Sequence, residues 1–273
     1  MSGVSSGPAK VFDDYEEYLT QYLEGAKKLA ILLDYDGTLT PIVAHPDLAK
    51  IPPDTKTILQ DLSQVPGVFT AVISGRNVNN VKEMVGISDI VYAGNHGLEV
   101  SYPDGSKYVH QLPTEFDDQV KTLISNLEKS VVRDGAWIEN KGASLTFHFR
   151  ATPEEKRSEI ESTAREIIEK AGFKVGNAHC ALEARPKVDW NKGKIALLIL
   201  DKQYGENKWQ GDVKVIFVGD DTTDEDAMLA LKGNAATFRI APDVNIQTHA
   251  SKLLSSTQSV VQILKLVKKL LKK

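Results

Sequence analysis

The sequence has a single cysteine, Cys180, in 273 residues. No intrachain disulfide can form, and a lone thiol suits a reducing, cytoplasmic setting. No apolar run approaches the roughly 18 residues of a membrane span. The opening stretch MSGVSSGPAK lacks the apolar core of a secretory leader, and its Gly, Ser and Pro content over residues 1–10 reads as disorder. A basic excess is also missing: Lys and Arg total 33, Asp and Glu total 37, and the net charge is −4. A general nucleic-acid binder needs the opposite sign. These absences exclude a secreted disulfide scaffold, a membrane-spanning protein and a nucleic-acid packer. What remains is 41% hydrophobic and 26% charged, ordinary for a globular chain. The length allows one large domain, or a core with a smaller one inserted.

Three segments share one design. Leu29–Leu33, Val68–Ile73 and Val213–Val218 are short apolar runs, and each ends in small polar or acidic residues. Such runs read as strands buried on both faces, the habit of parallel sheets. Helical patterns alternate with them: Pro53–Gln64, Val78–Val85, Lys194–Leu200 and Asp224–Leu231, with a further helix near Asp13–Gly25. The pattern predicts a doubly wound, Rossmann-like α/β core whose site lies beyond the carboxyl ends of the strands. The middle differs. Helices over Glu115–Val132 and Glu154–Lys170 alternate with strand pairs Ala136–Glu139/Ala143–Arg150 and Phe173–Val175/Cys180–Arg185, the latter turning at Gly176-Asn177. This is an α+β insert at 110–186, and the core comprises 11–109 and 187–273. The C-terminal stripe over Val260–Lys273 reads as a helix packed on the sheet. A membrane-surface helix is the alternative.

The chemistry sits at the strand ends. Asp34-Tyr35-Asp36-Gly37-Thr38 places two carboxylates beside a buried strand, where a cation or hydrogen bonds must hold them. A carboxylate there can also attack phosphorus. Five of the seven residues from 220 to 226 are acids. A helix capped by Thr223 explains Asp224, Glu225 and Asp226, but not Asp220 and Asp221. Asp34, Asp36 and Asp220 therefore read as one Mg²⁺ site. Ser74-Gly75-Arg76 suits a phosphate cradle, and Lys192 or Lys194 could offset the carboxylates. Trp137, Trp190 and Trp209 read as packing or boundary residues, and Cys180 as a buried strand residue.

The ordered set Asp-x-Asp-Gly-Thr, Ser-Gly-Arg, Lys-Gly, Gly-Asp-Asp-x-x-Asp resembles the haloacid dehalogenase-like phosphatases, and the insert resembles their α+β cap. Asp34–Ile42, Ala93–Glu99, Glu139-Asn140-Lys141, Ser144, His148-Phe149-Arg150 and Glu183–Pro186 are similar to trehalose-6-phosphate phosphatases, which more often have Tyr at the place of Phe149. That resemblance implies an aspartyl-phosphate mechanism with Asp34 as nucleophile and Asp36 as acid and base. It implies Thr38, Ser74 and Lys192 on the phosphoryl oxygens, and Mg²⁺ held by Asp34, the Asp36 carbonyl and Asp220, with Asp221 or Asp224 assisting. Arg76, Asn95, His96, Glu139, Lys141, Arg150 and Glu183 would read the sugar. The implied substrate is trehalose 6-phosphate. Sucrose 6-phosphate, a mannosyl phosphate or a phosphomutase reaction are enzymatic alternatives, and a non-catalytic sugar-phosphate regulator is the alternative of another class. A monomer is expected, with the synthase of the pathway as candidate partner, and neither nucleic acid nor membrane.

Overall fold

A computed structural model describes residues 11–178 and 180–272. Residues 1–10, expected to lack order, and Lys273, expected in the C-terminal stripe, lie outside them. The chain divides into two compact units, one running up to Tyr108 and resuming at Trp190, the other spanning Val109–Asp189.

The first unit begins with α1 (Glu16–Tyr22), β1 (Leu29–Leu33), α2 (Pro53–Ser63), β2 (Val68–Ile73), α3 (Val78–Val85), β3 (Val91–Gly94), β4 (Glu99–Ser101) and β5 (Lys107–Val109). The second unit holds α4 (Phe116–Ser130), β6 (Trp137–Asn140), β7 (Leu145–His148), α5 (Glu154–Lys170), β8 (Lys174–Ala178) and β9 (Ala181–Arg185). The first then resumes with α6 (Lys192–Tyr204), β10 (Lys214–Gly219), α7 (Thr222–Ala230), β11 (Ala236–Ile240), β12 (Lys252–Leu254) and α8 (Thr257–Leu270).

The core sheet runs β12-β11-β10-β1-β2-β3-β4-β5. Pairing from β12 through β3 is parallel, and β4 turns antiparallel on β3. Alternation splits β1 between two apolar layers. Leu29, Ile31 and Leu33 pack with residues of α1, α2, α3 and α8, while Ala30 and Leu32 pack with residues of α6 and α7. Both faces are therefore covered, as a parallel sheet requires. In α8, Val260, Ile263, Leu264 and Val267 are buried in the first layer, so that stripe faces the sheet rather than a membrane surface. No described helix is long and apolar enough to cross a membrane.

The second unit is a four-stranded antiparallel sheet, β6-β7-β9-β8. Its apolar face, with Leu145, Phe147, Leu182 and Ala184, packs against Val120, Leu123 and Leu127 of α4 and Ile160, Ala164 and Ile168 of α5. The expected turn at Gly176-Asn177 is not there. Both residues lie inside β8, and Cys180, half-buried with φ of 54°, sits in the reversal before β9 instead of in a buried strand. The Arg185 guanidinium lies over Gly176: a Cβ there would come within 3.1 Å of it. A turn-forming dipeptide thus marks a close approach.

Candidate active site

Leu33 pairs with Val72 on one side and Val218 on the other. The residues after these, Asp34, Ile73 and Gly219, therefore reach one level, where three parallel strands end together. Asp34 leaves β1 with its N–H donated to the Val218 carbonyl. The chain then folds into a tight loop in which Gly37 N–H bonds Thr40 O and Leu39 N–H bonds Tyr35 O. Gly37 has φ of 78°, and a Cβ there would lie 2.1 Å from the Asp220 carboxylate. Only glycine lets the first acidic loop approach the second this closely.

Asp34, Asp220 and Asp224 offer carboxylate oxygens that all lie within 4.8 Å of one another. One ammonium lies among them: Lys192 Nζ donates to Asp34 Oδ1 at 2.7 Å and to Asp224 Oδ1 at 2.8 Å. Of the two candidate lysines, Lys192 holds this position, at the first residue of α6. The Lys194 N–H instead meets the Asn191 side chain that caps the helix. Asp224 also receives the backbone N–H groups of Asp220 and Asp221 at 3.0 Å.

Three carboxylates against one ammonium leave negative charge in excess. Burial, reinforced by Asp224 and Asp220 against the opposing pull of Lys192, pushes Asp34 well above the usual carboxylate range. Burial and the Asp224 charge push Asp220 up to about 7. For Lys192, burial works against the charge, but Asp224 and Asp34 outweigh it and raise its pKa. Two buried oxygens are also without a hydrogen-bond partner, Asp220 Oδ1 and Thr38 Oγ1. A surplus of hard oxygen donors with an orphaned carboxylate oxygen fits a divalent cation such as Mg²⁺.

The side chains of Asp221 and Asp36, also expected at the metal site, point elsewhere. Asp221 is exposed and caps α7, accepting the Thr222 N–H, with Asp224 completing a capping box. Asp221, not Thr223, is thus the N-cap, and its carboxylate is outside the cluster. Asp36 is turned to Arg76, which binds both carboxylate oxygens at 2.7 Å through Nε and an Nη. The remaining guanidinium N–H groups reach Asn80, Met84 and the Pro46 carbonyl. Arg76 is therefore spent inside the core in this arrangement, with no N–H left for a sugar. Ser74 is buried, and its Oγ accepts the Arg76 N–H at 3.1 Å.

Asn95 and His96 follow β3 in the left-handed region, with φ of 49° and 56°. Asn95 N–H bonds the Arg76 carbonyl and His96 N–H bonds that of Ser74, so the strained turn is tied to the Ser-Gly-Arg segment. Gly75 makes room for the His96 ring, whose Cε1 would lie 2.7 Å from a Cβ there. Glu99 accepts from the Asn95 side chain, and its burial raises its pKa. This partner lies four residues on, at the end of the Ala93–Glu99 segment that resembles the family, a resemblance that implied no role for it.

In the second unit, the pairings of β6, β7 and β9 bring Glu139, Thr146, His148 and Glu183 to the sheet face opposite the helices. Lys141 Nζ lies 3.7 Å from Glu183, and Arg185 Nε lies 3.6 Å from it. His148 Nε2 is 2.9 Å from Glu139 Oε2, and Trp137 stacks on the His148 ring. Three expected residues, Glu139, Lys141 and Glu183, thus belong to one polar row. Arg150 lies two residues beyond the end of β7, in a turn where its carbonyl accepts from Arg157. It is not on the strand assigned to it. Trp137, expected as a packing or boundary residue, joins the row with His148 and Arg185, which lie in segments that resemble the family but had no expected role; their period-2 spacing with Glu139, Thr146 and Glu183 locates them there.

A parallel α/β core with acidic loops at the ends of its central strands, carrying an α+β insert, is the haloacid dehalogenase-like fold. A haloacid dehalogenase-like hydrolase from Bacteroides thetaiotaomicron superimposes with a TM-score of 0.60 at 15% identity, covering 88% of this chain and 100% of that one. The C-terminal domain of Candida albicans trehalose-6-phosphate phosphatase superimposes with a TM-score of 0.78 at 22% identity, covering 96% and 99%. The trehalose-phosphatase family model matches residues 32–261, and this chain belongs to that family. A curated relative, the probable trehalose-phosphate phosphatase 4 of Oryza sativa subsp. japonica, is 35% identical over 213 residues. The alignment covers 76% of this chain and 56% of the rice protein, so this chain spans little more than half of that relative's length.

Proposed function

We propose that the chain hydrolyses trehalose 6-phosphate to trehalose and phosphate with the help of Mg²⁺. The observation that carries this reading is the buried cluster of Asp34, Asp220, Asp224 and Lys192 at the ends of β1 and β10, in a chain of the trehalose-phosphatase family. Asp34 attacks the phosphorus in line and the bond to the sugar O6 breaks, leaving an aspartyl phosphate. Asp36 donates a proton to the departing oxygen, then takes one from the water that attacks the phosphorus and frees Asp34. Arg76 holds both oxygens of Asp36 here, so the carboxyl serves as acid only through an oxygen released from that pair. Lys192, Thr38 and Ser74 offer an ammonium and two hydroxyls to the phosphoryl oxygens. Asp34, Asp220 and the Asp36 carbonyl would hold Mg²⁺, with Asp224 beside it. The ion would neutralise the surplus carboxylate charge and polarise the phosphoryl group. On the insert, Glu139, Lys141 and Glu183 present charged hydrogen-bonding groups that suit the many hydroxyls of a disaccharide.

Phosphate release measured over a panel of sugar phosphates, with and without Mg²⁺, tests the proposal. Trehalose 6-phosphate should have the highest kcat/KM, and chelation should abolish turnover. Equal or better turnover of sucrose 6-phosphate or a mannosyl phosphate would replace the substrate but keep the chemistry. Binding without turnover would make the chain a regulator.

A further inference from the structure

We propose that His148 is a positioning residue that fixes the Glu139 carboxylate for sugar recognition, with Trp137 clamping the imidazole. The proposal rests on the reading of Glu139 as a sugar contact.

Trp137 and His148 face each other directly across β6 and β7, and Glu139 lies two residues along β6 on the same face. The indole and imidazole rings stack with centroids 4.2 Å apart and planes 12° from parallel. This fixes the imidazole plane, leaving Nε2 2.9 Å from Glu139 Oε2. The contact puts the proton on Nε2, which donates to the carboxylate. The contact restricts where the Glu139 carboxylate can sit, so an incoming hydroxyl meets a pre-positioned acceptor. Glu139 is the more open member, with its side chain 27% exposed against 16% for His148.

Packing alone does not account for the trio. A leucine or phenylalanine at 148 would cover the indole as well and need no acceptor. A His–Glu contact still partly exposed to water adds little to stability. The charged row around it, Lys141, Glu183 and Arg185, would draw a loose Glu139 carboxylate towards its cations. A donor at the place of Nε2 holds Glu139 Oε2 against that pull.

The test is a thermodynamic cycle on the full chain: His148→Leu, Glu139→Ala and the double variant, with KM and kcat for trehalose 6-phosphate. Hydrolysis of p-nitrophenyl phosphate, which lacks the sugar, reports whether each variant is folded and chemically competent. His148→Leu should raise KM about tenfold, the scale of one charge-assisted hydrogen bond, with little change in kcat. Glu139→Ala should raise it at least as much, and the double variant should match Glu139→Ala, because His148 acts through that carboxylate. His148→Gln, whose amide nitrogen reaches the place of Nε2, should retain a nearly normal KM. His148→Asn, one methylene shorter, should behave like the leucine variant and replaces it if that one does not fold. Additive effects in the double variant, or a normal KM for both His148→Leu and His148→Asn beside a raised one for Glu139→Ala, would overturn the proposal. A normal KM for Glu139→Ala overturns it too, by removing the sugar contact on which it rests.

Discussion

In the core, Lys192 lies 2.7 Å from Asp34 and 2.8 Å from Asp224, and all three side chains are at most 6% exposed. On the insert, Lys141 and Arg185 lie 3.7 and 3.6 Å from Glu183, and these side chains are 12–25% exposed. The core charges cannot be screened or reoriented, so each depends on the others, and the surplus calls for a cation. The more open row, whose ion pairs are longer, can exchange these contacts for ligand hydroxyls at less cost. Buried charge held rigidly suits the stabilisation of charge developing at phosphorus, whereas loosely paired, partly exposed charge suits the reading of a sugar. Substitutions in the core should therefore strike kcat and stability, and substitutions on the insert should strike KM.

The largest effect expected is that of Asp34→Asn, which removes the nucleophile with almost no change of shape. Its kcat should fall on the order of 10⁴-fold or more while trehalose 6-phosphate still binds by calorimetry. Residual turnover near the normal rate would place the nucleophile elsewhere. Next comes Lys192→Met. It leaves buried carboxylates facing one another, and denaturant melts should show a loss of roughly 3–5 kcal/mol alongside the loss of activity. If stability is unchanged, the cluster is wetter than its burial implies.

Gly37→Ala follows. Its Cβ would meet Asp220 at 2.1 Å, at a φ of 78°. The strain should cost ~1–3 kcal/mol. The displaced Asp220 should also abolish the rise in Tm expected when Mg²⁺ binds the normal chain, which would be worth about 2.7 kcal/mol at a hundredfold excess over Kd. A variant that Mg²⁺ still stabilises fully would show that Asp220 is not needed to hold the ion.

The contrast also explains what could be read from the chain. β1, β2, α3 and α5 follow the expected ranges because continuous apolar runs and a clean helical period leave no second solution. β4, β5 and β12 have three residues each, too few for a period. In the acidic segment, Asp220, Asp221 and Asp224 look alike on paper. What separates them is side-chain direction: Asp221 turns outward to cap α7, while Asp224 turns back against Gly219, whose added Cβ would lie 2.3 Å from it. The Asp36–Arg76 pair joins residues 40 apart, and no local pattern announces it. On the insert, alternation puts Trp137, His148 and Arg185 on the face of Glu139 and Glu183, a placement the family pattern alone does not give, while Gly176-Asn177 imitates a turn and shifts the final hairpin.

On the open row, Glu183→Gln should raise KM for trehalose 6-phosphate about tenfold and change kcat less than about threefold. A fall in kcat larger than the rise in KM would make the row part of the chemistry and erase the contrast drawn above.

The smallest effect compares two backbone strains. Cys180 on the insert and His96 in the core are both non-glycine residues in the left-handed region, with φ of 54° and 56°. Cys180 sits in a hairpin reversal, so Cys180→Gly removes a Cβ penalty and loses only a half-buried thiol. Since glycine also loosens the unfolded chain, the net gain should be at most about 1 kcal/mol, with activity unchanged. His96→Gly relieves the same strain, yet it removes the imidazole that lies against Gly75, and kcat/KM should fall about tenfold while the melt holds or improves. The two glycine variants should thus move together in stability and part in activity. If His96→Gly keeps full activity, the strain at His96 is as incidental as that at Cys180. If Cys180→Gly loses activity, the hairpin of the insert takes part in sugar binding.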